Sequence, residues 1–417
     1  MSSEFEISLD SANVTIESVK INRKGEYIIT VASTEQSTRC HRCGRQLTKW
    51  CGHGHAVMLR HLPILGRKTY LRIFPVRYEC SHCKGNKGKP VTSSQRVSWY
   101  DPRSGHTKAY EQQVLLGLIN STVEDVSLKE DLGYEAVMGI IDRHVQTRVN
   151  WKQLKQLEVL GLDEIALKKG HKDFVTIVTA LIAGQLSVLA VLADRKKETV
   201  KAFLSSIPKR LSRGLKAVCS DLYDGYINAA KEVFGKGVRV IADRFHVAKL
   251  YRKSLDDLRK KELRRLKKSL PEHEYQKLIG AMWLLRKNKQ ALTEQDLEVL
   301  ACLFKHSPDL KLAYQLCHEL TDIFELDIVK SRAKRKIQSW IKRVKKSGLT
   351  CFNTFLCTLQ QRLEEVTNYF HHRHTSGFVE GLNNKIKVIK RRCYGLCNLD
   401  HLFQRILLDL EGYRLFA

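Results

Sequence analysis

Hydrophobic and polar positions alternate along the first 100 residues, in segments such as FEISL, VTIESVKI, EYIITVA and TYLRIFPVRYEC. Alternation with a period of two predicts half-buried β-strands. Residues 107–149 instead carry apolar positions at helical spacing. Residues 157–250 alternate strand-like with helix-like segments, which is typical of an α/β unit. Residues 250–417 are almost wholly helical in pattern, so the chain is expected to be a multidomain α/β plus α protein.

One apolar stretch, FVTIVTALIAGQLSVLAVLA at residues 174–193, has the length of a membrane span. It is rich in Val, Ile and Thr, and Gly184-Gln185 interrupts it in the middle, which favours two buried strands joined by a tight turn. The first residues, MSSEFEISLD, lack the basic and apolar regions of a secretory signal. We therefore expect no membrane partner and a cytoplasmic, nucleoid-associated location.

The chain is strongly basic, with 72 Lys and Arg, 44 Asp and Glu and a formal charge of +28 over 417 residues. A hydrophobic content of 43% excludes wholesale disorder. A polyanionic partner is expected, and nucleic acid is the commonest one. The excess lies mainly in residues 244–417, and the segment 330–346 holds nine basic side chains and no acid.

Two C-x2-C pairs, CHRC at 40–43 and CSHC at 80–83, stand out among the 12 cysteines. Such a turn places two thiolates on one metal, and two of them complete the four tetrahedral ligands that zinc prefers. Without an export signal, a disulfide framework is the less favoured interpretation. A structural zinc site is therefore predicted, although Cys51, His53 or His55 could replace one ligand; its expected ligands are Cys40, Cys43, Cys80 and Cys83.

Three short helices are predicted at 110–120, 122–131 and 135–148, with the turn LGY between the last two. A short glycine-containing turn between helices is the helix-turn-helix pattern, although a plain helical hairpin gives a similar signal. In the DNA-binding interpretation the third helix presents Arg143, Gln146 and Arg148 to DNA.

Acidic residues end three predicted strands of the central region. Asp163 lies near the end of the segment EVLGLDE. Asp221 is the last residue of LKAVCSD, and Asp243 is the last residue of VRVIAD. Three strands followed by helix, strand, helix and strand is the order of the ribonuclease H-like fold, in which the first and fourth strands are neighbours. Asp163 and Asp221 would then meet at one sheet edge, where a shared cation offsets their repulsion. Each acid alone could equally cap the next helix.

A third carboxylate is expected from HTSGFVEGLNNKIKVIKRR at 374–392. On a helix, Phe378, Leu382, Ile386 and Ile389 form an apolar stripe, and Glu380 falls on the opposite face among amide and basic side chains. A lone acid there suits a metal ligand beside a phosphate backbone. A solvated acid paired with a lysine is the alternative.

The blocks CHRCG with YECSHC, GLDEIALKKG (161–170), SDLYDGY (220–226), ADRFHVAKL (242–250) and SGFVEGLNNKIKVIKRRCYG (376–395) occur in one order over nearly the whole chain. With them the chain resembles insertion-sequence transposases of the ISL3 family, whose catalytic core is a ribonuclease H-like DDE domain. The resemblance implies that the family's acidic triad falls on Asp163, Asp221 and Glu380, binding two magnesium or manganese ions. Asp243 and His246 are candidates for positioning or proton transfer, or for a structural pair that caps the following helix.

The resemblance implies cleavage at the ends of a mobile element followed by strand transfer, with double-stranded DNA of the element ends and target as partners. Because two ends must be joined, a homodimer or larger assembly is expected. The predicted domains are a zinc-binding domain (1–100), a helix-turn-helix (101–150), a catalytic core (151–250 and 371–417) and a helical insertion (251–370). Basic side chains in the insertion and near the C-terminus are expected on the DNA backbone, namely Lys330, Arg332, Lys334, Arg335, Lys336, Lys342, Arg343, Lys385, Lys387, Lys390, Arg391 and Arg392.

Two other functions fit part of this pattern. A non-catalytic regulator derived from a transposase would keep the zinc and helical domains without needing all three acids. A ribonuclease H-like nuclease would cut DNA without joining it. The presence of Asp163, Asp221 and Glu380 in their sequence blocks favours the enzyme over the regulator.

Overall fold

The computed structural model describes residues 9, 13–85, 88–167, 174–287, 289–371, 373, 377–393 and 398–417, with only the backbone for 289 and 377–380. The chain divides into two compact units, one of Met1–Gln146 with Gln404–Ala417 and the other of Thr147–Phe403. The range 371–417, expected in the catalytic core, is thus divided between the units. The functions assigned to the four predicted domains stay predictions.

The first unit begins with short strands, as the alternating pattern predicts. Four of them form a sheet in the order β1-β2-β7-β6, three form β5-β8-β9, and β3 pairs with β4. A small core of Ile29, Val31, Leu59 and Leu71 lies on the four-stranded sheet. The strands are β1 Val14–Ile21, β2 Tyr27–Ser33, β3 Thr38–Arg39, β4 Gln46–Leu47, β5 Trp50–His53, β6 Val57–Ile64, β7 Arg67–Ile73, β8 Val76–Lys84 and β9 Pro90–Ser94.

Three helices follow in this unit: α1 Lys108–Leu118, α2 Val123–Glu130 and α3 Tyr134–His144. Thr107 and Thr122 cap the first two helices through their side-chain oxygens. The third was expected to run to residue 148, but it ends at His144 because the backbone of Val145 turns to an extended conformation. The buried faces of the three helices share one core with Leu408 near the C-terminus.

The second unit is built on a five-stranded sheet in the order β12-β11-β10-β13-β14. The strands β10, β11 and β12 pair antiparallel, whereas β13 and β14 run parallel to β10. The expected tight turn at Gly184 joins β11 to β12, with a positive φ that glycine adopts without strain. The strands are β10 Val159–Ala166, β11 Phe174–Ile182, β12 Gln185–Leu192, β13 Ala217–Ser220 and β14 Arg239–Ala242.

Helices cover both faces of this sheet, because its strands are apolar on both sides. Leu160, Leu162 and Val218 face a core shared with α4 and α6. Val159, Ala217 and Cys219 face the larger core of the C-terminal helices. The helices of this unit are α4 Lys197–Ser205, α5 Lys209–Ser212, α6 Asp224–Phe234, α7 Arg244–Ser269, α8 Glu272–Gln276, α9 Ala281–Leu284, α10 Glu294–His306, α11 Pro308–Glu325, α12 Lys330–Lys346, α13 Asn353–Gln361, α14 Leu363–Asn368 and α15 Gly377–Arg392. The last helix, α16 Leu399–Phe416, begins in this unit and continues in the first from Gln404.

Mixed α/β architecture with a β-rich N-terminal region is therefore confirmed. Within the described ranges, no helix combines the length and the apolar character that a bilayer crossing requires.

Candidate functional site

Three aspartates follow one another across the edge of the five-stranded sheet. Leu162 on β10 is in register with Ser220 on β13, and Ser220 is in register with Ala242 on β14. Asp163 follows Leu162 within β10, and Asp221 and Asp243 directly follow the last residues of β13 and β14. Because the strands run parallel, equivalent positions point to the same face, so the three acids are adjacent at one edge.

Asp163 does not end its strand, as the sequence suggested. The strand β10 continues to Ala166 because β11 still pairs with it there, whereas its parallel neighbour β13 stops at Ser220. The Asp163 side chain is therefore held inside a strand, and the residue is only 6% exposed. Burial raises the pKa of this carboxyl above its usual range.

Two donors fix the Asp163 carboxylate. The backbone N–H of Glu164 donates to Oδ1 at 2.7 Å, and the side-chain amide of Asn383 donates to Oδ2 at 2.5 Å. Asn383 lies on α15, so this contact brings the helix that carries Glu380 to the acidic edge. The Glu380 side chain lies outside the described residues. Its backbone precedes Asn383 by three residues, a spacing that places both on the same side of a helix.

Asp221, the second acid of this edge, is half-buried. The backbone N–H of Tyr223 donates to its Oδ1 at 3.0 Å. Burial raises the pKa of Asp221 to about 6, and the nearby carboxylates of Glu164 and Asp163 act in the same direction. The protein thus keeps two acids at this edge where their charges are poorly solvated.

Asp243 and His246 lie beside these acids. Their geometry is compatible both with helix capping and with a role in positioning or proton transfer, the two interpretations made from the sequence. Asp243 caps α7, because its Oδ1 accepts from the backbone N–H of Phe245 at 3.0 Å. The Nε2 atom of His246 lies 4.0 Å from Asp163 Oδ1 and 3.9 Å from Asp243 Oδ2. A protonated imidazole there would offset part of the negative charge.

The four cysteines of the two C-x2-C pairs come together in the first unit. Their sulfur atoms all lie within 4.8 Å of one another, with 4.0 Å between Cys40 and Cys83 and 3.8 Å between Cys43 and Cys80. Four sulfurs around a tetrahedral zinc, at about 2.3 Å from the metal, stand roughly 3.8 Å apart. Among the described residues, these four cysteines are the only set of three or more His, Cys, Asp or Glu side chains that lie close enough to share one metal ion.

Two backbone donors stabilise the thiolate form of Cys40. Backbone N–H groups of Cys43 and Arg42 hydrogen-bond it and lower its pKa to about 6. Cys51, His53 and His55 lie outside the group that the four sulfurs form.

The predicted DNA-contacting residues of the third helix differ in their surroundings. Arg143 is exposed, and its guanidinium donates to the buried carboxylate of Glu111 at 2.5 Å. Gln146 and Arg148 follow the end of α3 and are exposed. Their role in DNA binding stays a prediction.

Glu111 is a structural residue that sequence reasoning missed. It is 1% exposed and accepts hydrogen bonds from Arg143, His144 and Ser104. Burial alone would raise the pKa of Glu111, but these bonds and the nearby imidazole of His106, whose Nδ1 lies 3.8 Å from Oε1, outweigh burial and hold the pKa well below its usual range. No local sequence signal marks a residue whose partners come from a loop and from α3.

The basic segment 330–346 forms the amphipathic helix α12. Its apolar face packs into the core, where Trp340 is fully buried and donates from Nε1 to the Leu316 carbonyl at 2.8 Å. Lys330 and Lys334 pair with Glu364, and Arg343 pairs with Glu319. The remaining predicted DNA contacts of this helix are exposed, namely Arg332, Arg335, Lys336 and Lys342.

The basic residues of α15 fall into two groups. Lys385, Lys387 and Arg391 are exposed, whereas Lys390 and Arg392 are half-buried. The ammonium group of Lys390 donates to the Ala166 carbonyl at 2.6 Å, at the end of β10. This bond is a second attachment between α15 and the strand that carries Asp163.

Comparisons with known proteins identify the relatives of this chain. The model of a family described as "Transposase" matches residues 160–406, and that of the "Helix-turn-helix domain of transposase family ISL3" matches residues 95–145. The chain is 28% identical over 388 residues to the "Transposase for insertion sequence element IS1001" of Bordetella parapertussis, covering 92% of this chain and 91% of that protein.

Two further proteins are similar to this chain. The "Transposase for insertion sequence element IS1557" of Mycobacterium tuberculosis (strain CDC 1551 / Oshkosh) is 23% identical over 397 residues, which is 90% of this chain and 86% of that protein. The solved structure "Drosophila P element transposase strand transfer complex" aligns with 76% of this chain and 94% of its own, at 12% identity and a TM-score of 0.37.

Proposed function

We propose that this chain, which belongs to the ISL3 family of transposases, binds the terminal repeats of its insertion sequence and catalyses metal-dependent DNA cleavage and strand transfer. Membership of this family establishes that the chain is a transposase of insertion-sequence elements and that it has a DNA-binding helix-turn-helix. The reaction at the acidic edge, its metal and its active assembly are our proposal.

One observation carries the proposal. Asp163 and Asp221 are neighbours in register on parallel strands, and α15 contacts Asp163 through Asn383 one helical turn after Glu380. The strand order β12-β11-β10-β13-β14, with three antiparallel strands followed by two parallel ones, supports a ribonuclease H-like core. We propose that the helices between α7 and α15 are its insertion.

The donor set fits magnesium or manganese. Asp163 is buried, Asp221 is half-buried, and the pKa values of both carboxyls are raised, an arrangement that a bound cation would stabilise. Carboxylate oxygens are the ligands that Mg²⁺ prefers. The described aspartates do not by themselves form a group of three ligands, so we assign Glu380 as the third. Two divalent cations held there would supply charge stabilisation for the attacking and leaving oxygens of a phosphodiester.

The protein's own residues orient this site. Asn383 and the Glu164 N–H hold both oxygens of Asp163, which fixes the plane of the carboxylate. His246, between Asp163 and Asp243, is placed to position the scissile phosphate or to move a proton at Nε2. Catalysis of this kind depends on positioning and charge neutralisation.

We propose that the other parts of the chain bind DNA. The helix-turn-helix would read the terminal repeats, with Arg143, Gln146 and Arg148 as the predicted contacts. Exposed cations of α12 and α15 would contact phosphates of element and target DNA. Zinc on the four cysteines would hold the N-terminal strands in place. A homodimer or larger complex would pair the two element ends.

The test is cleavage of DNA carrying the element's ends by Glu380→Gln in the presence of Mg²⁺. This change removes one charge and keeps the side-chain shape, so we expect loss of cleavage with unchanged DNA binding in a gel-shift assay. Glu298→Gln, at an exposed position of α10, is the matched control and should cleave as the wild type does.

The same assay separates the alternatives. Products joined to target DNA support a transposase, whereas nicked ends alone support a nuclease. Cleavage by Glu380→Gln at the wild-type rate would show that Glu380 is not part of the catalytic site. A wild-type chain that binds element ends and never cleaves them with Mg²⁺ or Mn²⁺ would be a regulator.

A further inference from the structure

A cavity of about 690 Å³ opens beside the acidic edge, within the second unit. One of its walls is a single face of α7, from Phe245 through Ala248 and Arg252 to Arg259, because these residues recur at spacings of three, four and seven. The fourteen steps from Phe245 to Arg259 extend for about 21 Å along a helix. The cavity therefore leads away from Asp163 and Asp243 along α7.

Cationic side chains dominate this cavity away from the sheet. Six Lys or Arg residues line it, against four acids. Of the acids, Asp163, Glu164 and Asp243 belong to the sheet edge. The fourth, Asp256, is paired with Arg259 at 2.8 Å and Arg286 at 3.4 Å. Lys249, Arg252 and Lys253 are exposed, as is Lys387 on the α15 side. This cationic wall favours binding of an anionic polymer that runs along α7 and ends at the carboxylates of the sheet edge.

Apolar groups occupy the same cavity. Phe245 lies two residues after Asp243 and is 48% exposed, although a phenyl ring is normally buried. Met282 and Leu285 line the cavity as well. Aromatic and apolar side chains beside cations are typical of sites that stack a nucleobase while holding its phosphates.

We propose that this cavity binds an unpaired nucleotide of the DNA strand next to the reacting phosphodiester. Its base would lie against Phe245, and the phosphates that follow would contact Lys249 and Arg252. The volume is that of a pocket which encloses a small molecule. It is too small for a duplex, and bases in a duplex are already stacked on one another. This inference rests on the proposed function and adds to it that the DNA is locally unpaired at the site.

The test uses the full chain and two fluorescent DNA probes in buffer with Mg²⁺. One is a short blunt duplex, and the other is the same duplex extended by a few unpaired thymidines on one strand. Binding is followed by fluorescence anisotropy over a range of salt concentrations. We expect the wild type to prefer the tailed duplex.

Substitutions should change that preference selectively. Phe245→Ala should weaken binding of the tailed duplex about tenfold more than that of the blunt one, because it removes a stacking surface, and Phe245→Tyr should restore the preference. Arg252→Ala should reduce the salt slope for the tailed duplex by about 0.7, the value of one single-strand phosphate contact. Arg264→Ala, on α7 outside the cavity, is the matched control and should leave the preference unchanged.

The outcomes separate this inference from the proposed function. Equal weakening of both probes by Phe245→Ala, or no preference in the wild type, overturns the unpaired-nucleotide site even if element ends are cleaved. Cleavage by Glu380→Gln at the wild-type rate overturns the assigned triad, whatever the probes show.

Discussion

Replacing Asn383 with alanine is expected to slow DNA cleavage strongly while leaving folding stability nearly unchanged. The substitution removes the 2.5 Å bond to Asp163 Oδ2, a hydrogen bond to a charged group. Such bonds contribute about 1.5–3 kcal/mol. If that energy holds the carboxylate in its reactive orientation, the cleavage rate falls about 10- to 100-fold, since each factor of ten corresponds to about 1.4 kcal/mol.

Stability should change little because two gains oppose this loss. The Asn383 side-chain oxygen is buried and has no hydrogen-bond partner among the described residues. Removing such a group recovers about 1–3 kcal/mol of desolvation cost. Alanine also favours the helix interior by about 0.5 kcal/mol or more relative to asparagine. The sum lies close to zero.

The assay compares single-turnover cleavage of element-end DNA with thermal unfolding of the same preparations. Asn228→Ala, the same change inside helix α6, is the matched control and should cleave normally. Wild-type cleavage by Asn383→Ala would refute an orienting role for this residue. Loss of cleavage that merely follows loss of folded protein would refute it equally.

Three further outcomes are expected. Cys80→Ser should lose one bound zinc per chain and the hydrogen-exchange protection of β8, whereas Cys51→Ser should keep both. In the metal-free chain the pKa of Asp221 is raised to about 6, so protons compete with the cation below that value. Calorimetric titration should show Mn²⁺ affinity rising as the pH increases through about 6, and a flatter profile for Asp221→Asn. Glu111→Gln should destabilise α1 by about 2–3 kcal/mol in hydrogen exchange, because it leaves buried donors without their charged partner.

Much of the central sheet could be predicted from the sequence, because its strands are short apolar runs that end in acids or turns. The two strands predicted within residues 174–193 are present as β11 and β12, with the turn at Gly184 between them. The C-x2-C spacing likewise predicted which sulfurs meet, since each pair fixes two ligands locally. Asp163 was placed beside Asp221 because parallel neighbours share an edge.

Contacts between distant segments could not be predicted in this way. Asn383 approaches Asp163 across 220 positions of sequence, and in the sequence pattern it is only an amide near the apolar stripe of α15. Arg143 pairs with Glu111, an acid 32 residues earlier, and its role in DNA binding stays a prediction. In both cases the partner is chosen by tertiary packing, which a local pattern does not contain. Trp340 is different, because the helical periodicity of α12 places it on the apolar face even though nine cations surround it in the sequence.

The end of the chain completes the first unit. Arg405 donates to the carbonyls of Leu118 and Ser121, and Leu408 is fully buried in the core of the three-helix bundle. On the ribosome, the core of this three-helix bundle cannot close until Leu408 has been synthesised. A nonsense mutation or proteolytic cut that removes residues 404–417 should therefore leave no folded fragment able to occupy element ends and compete with intact protein.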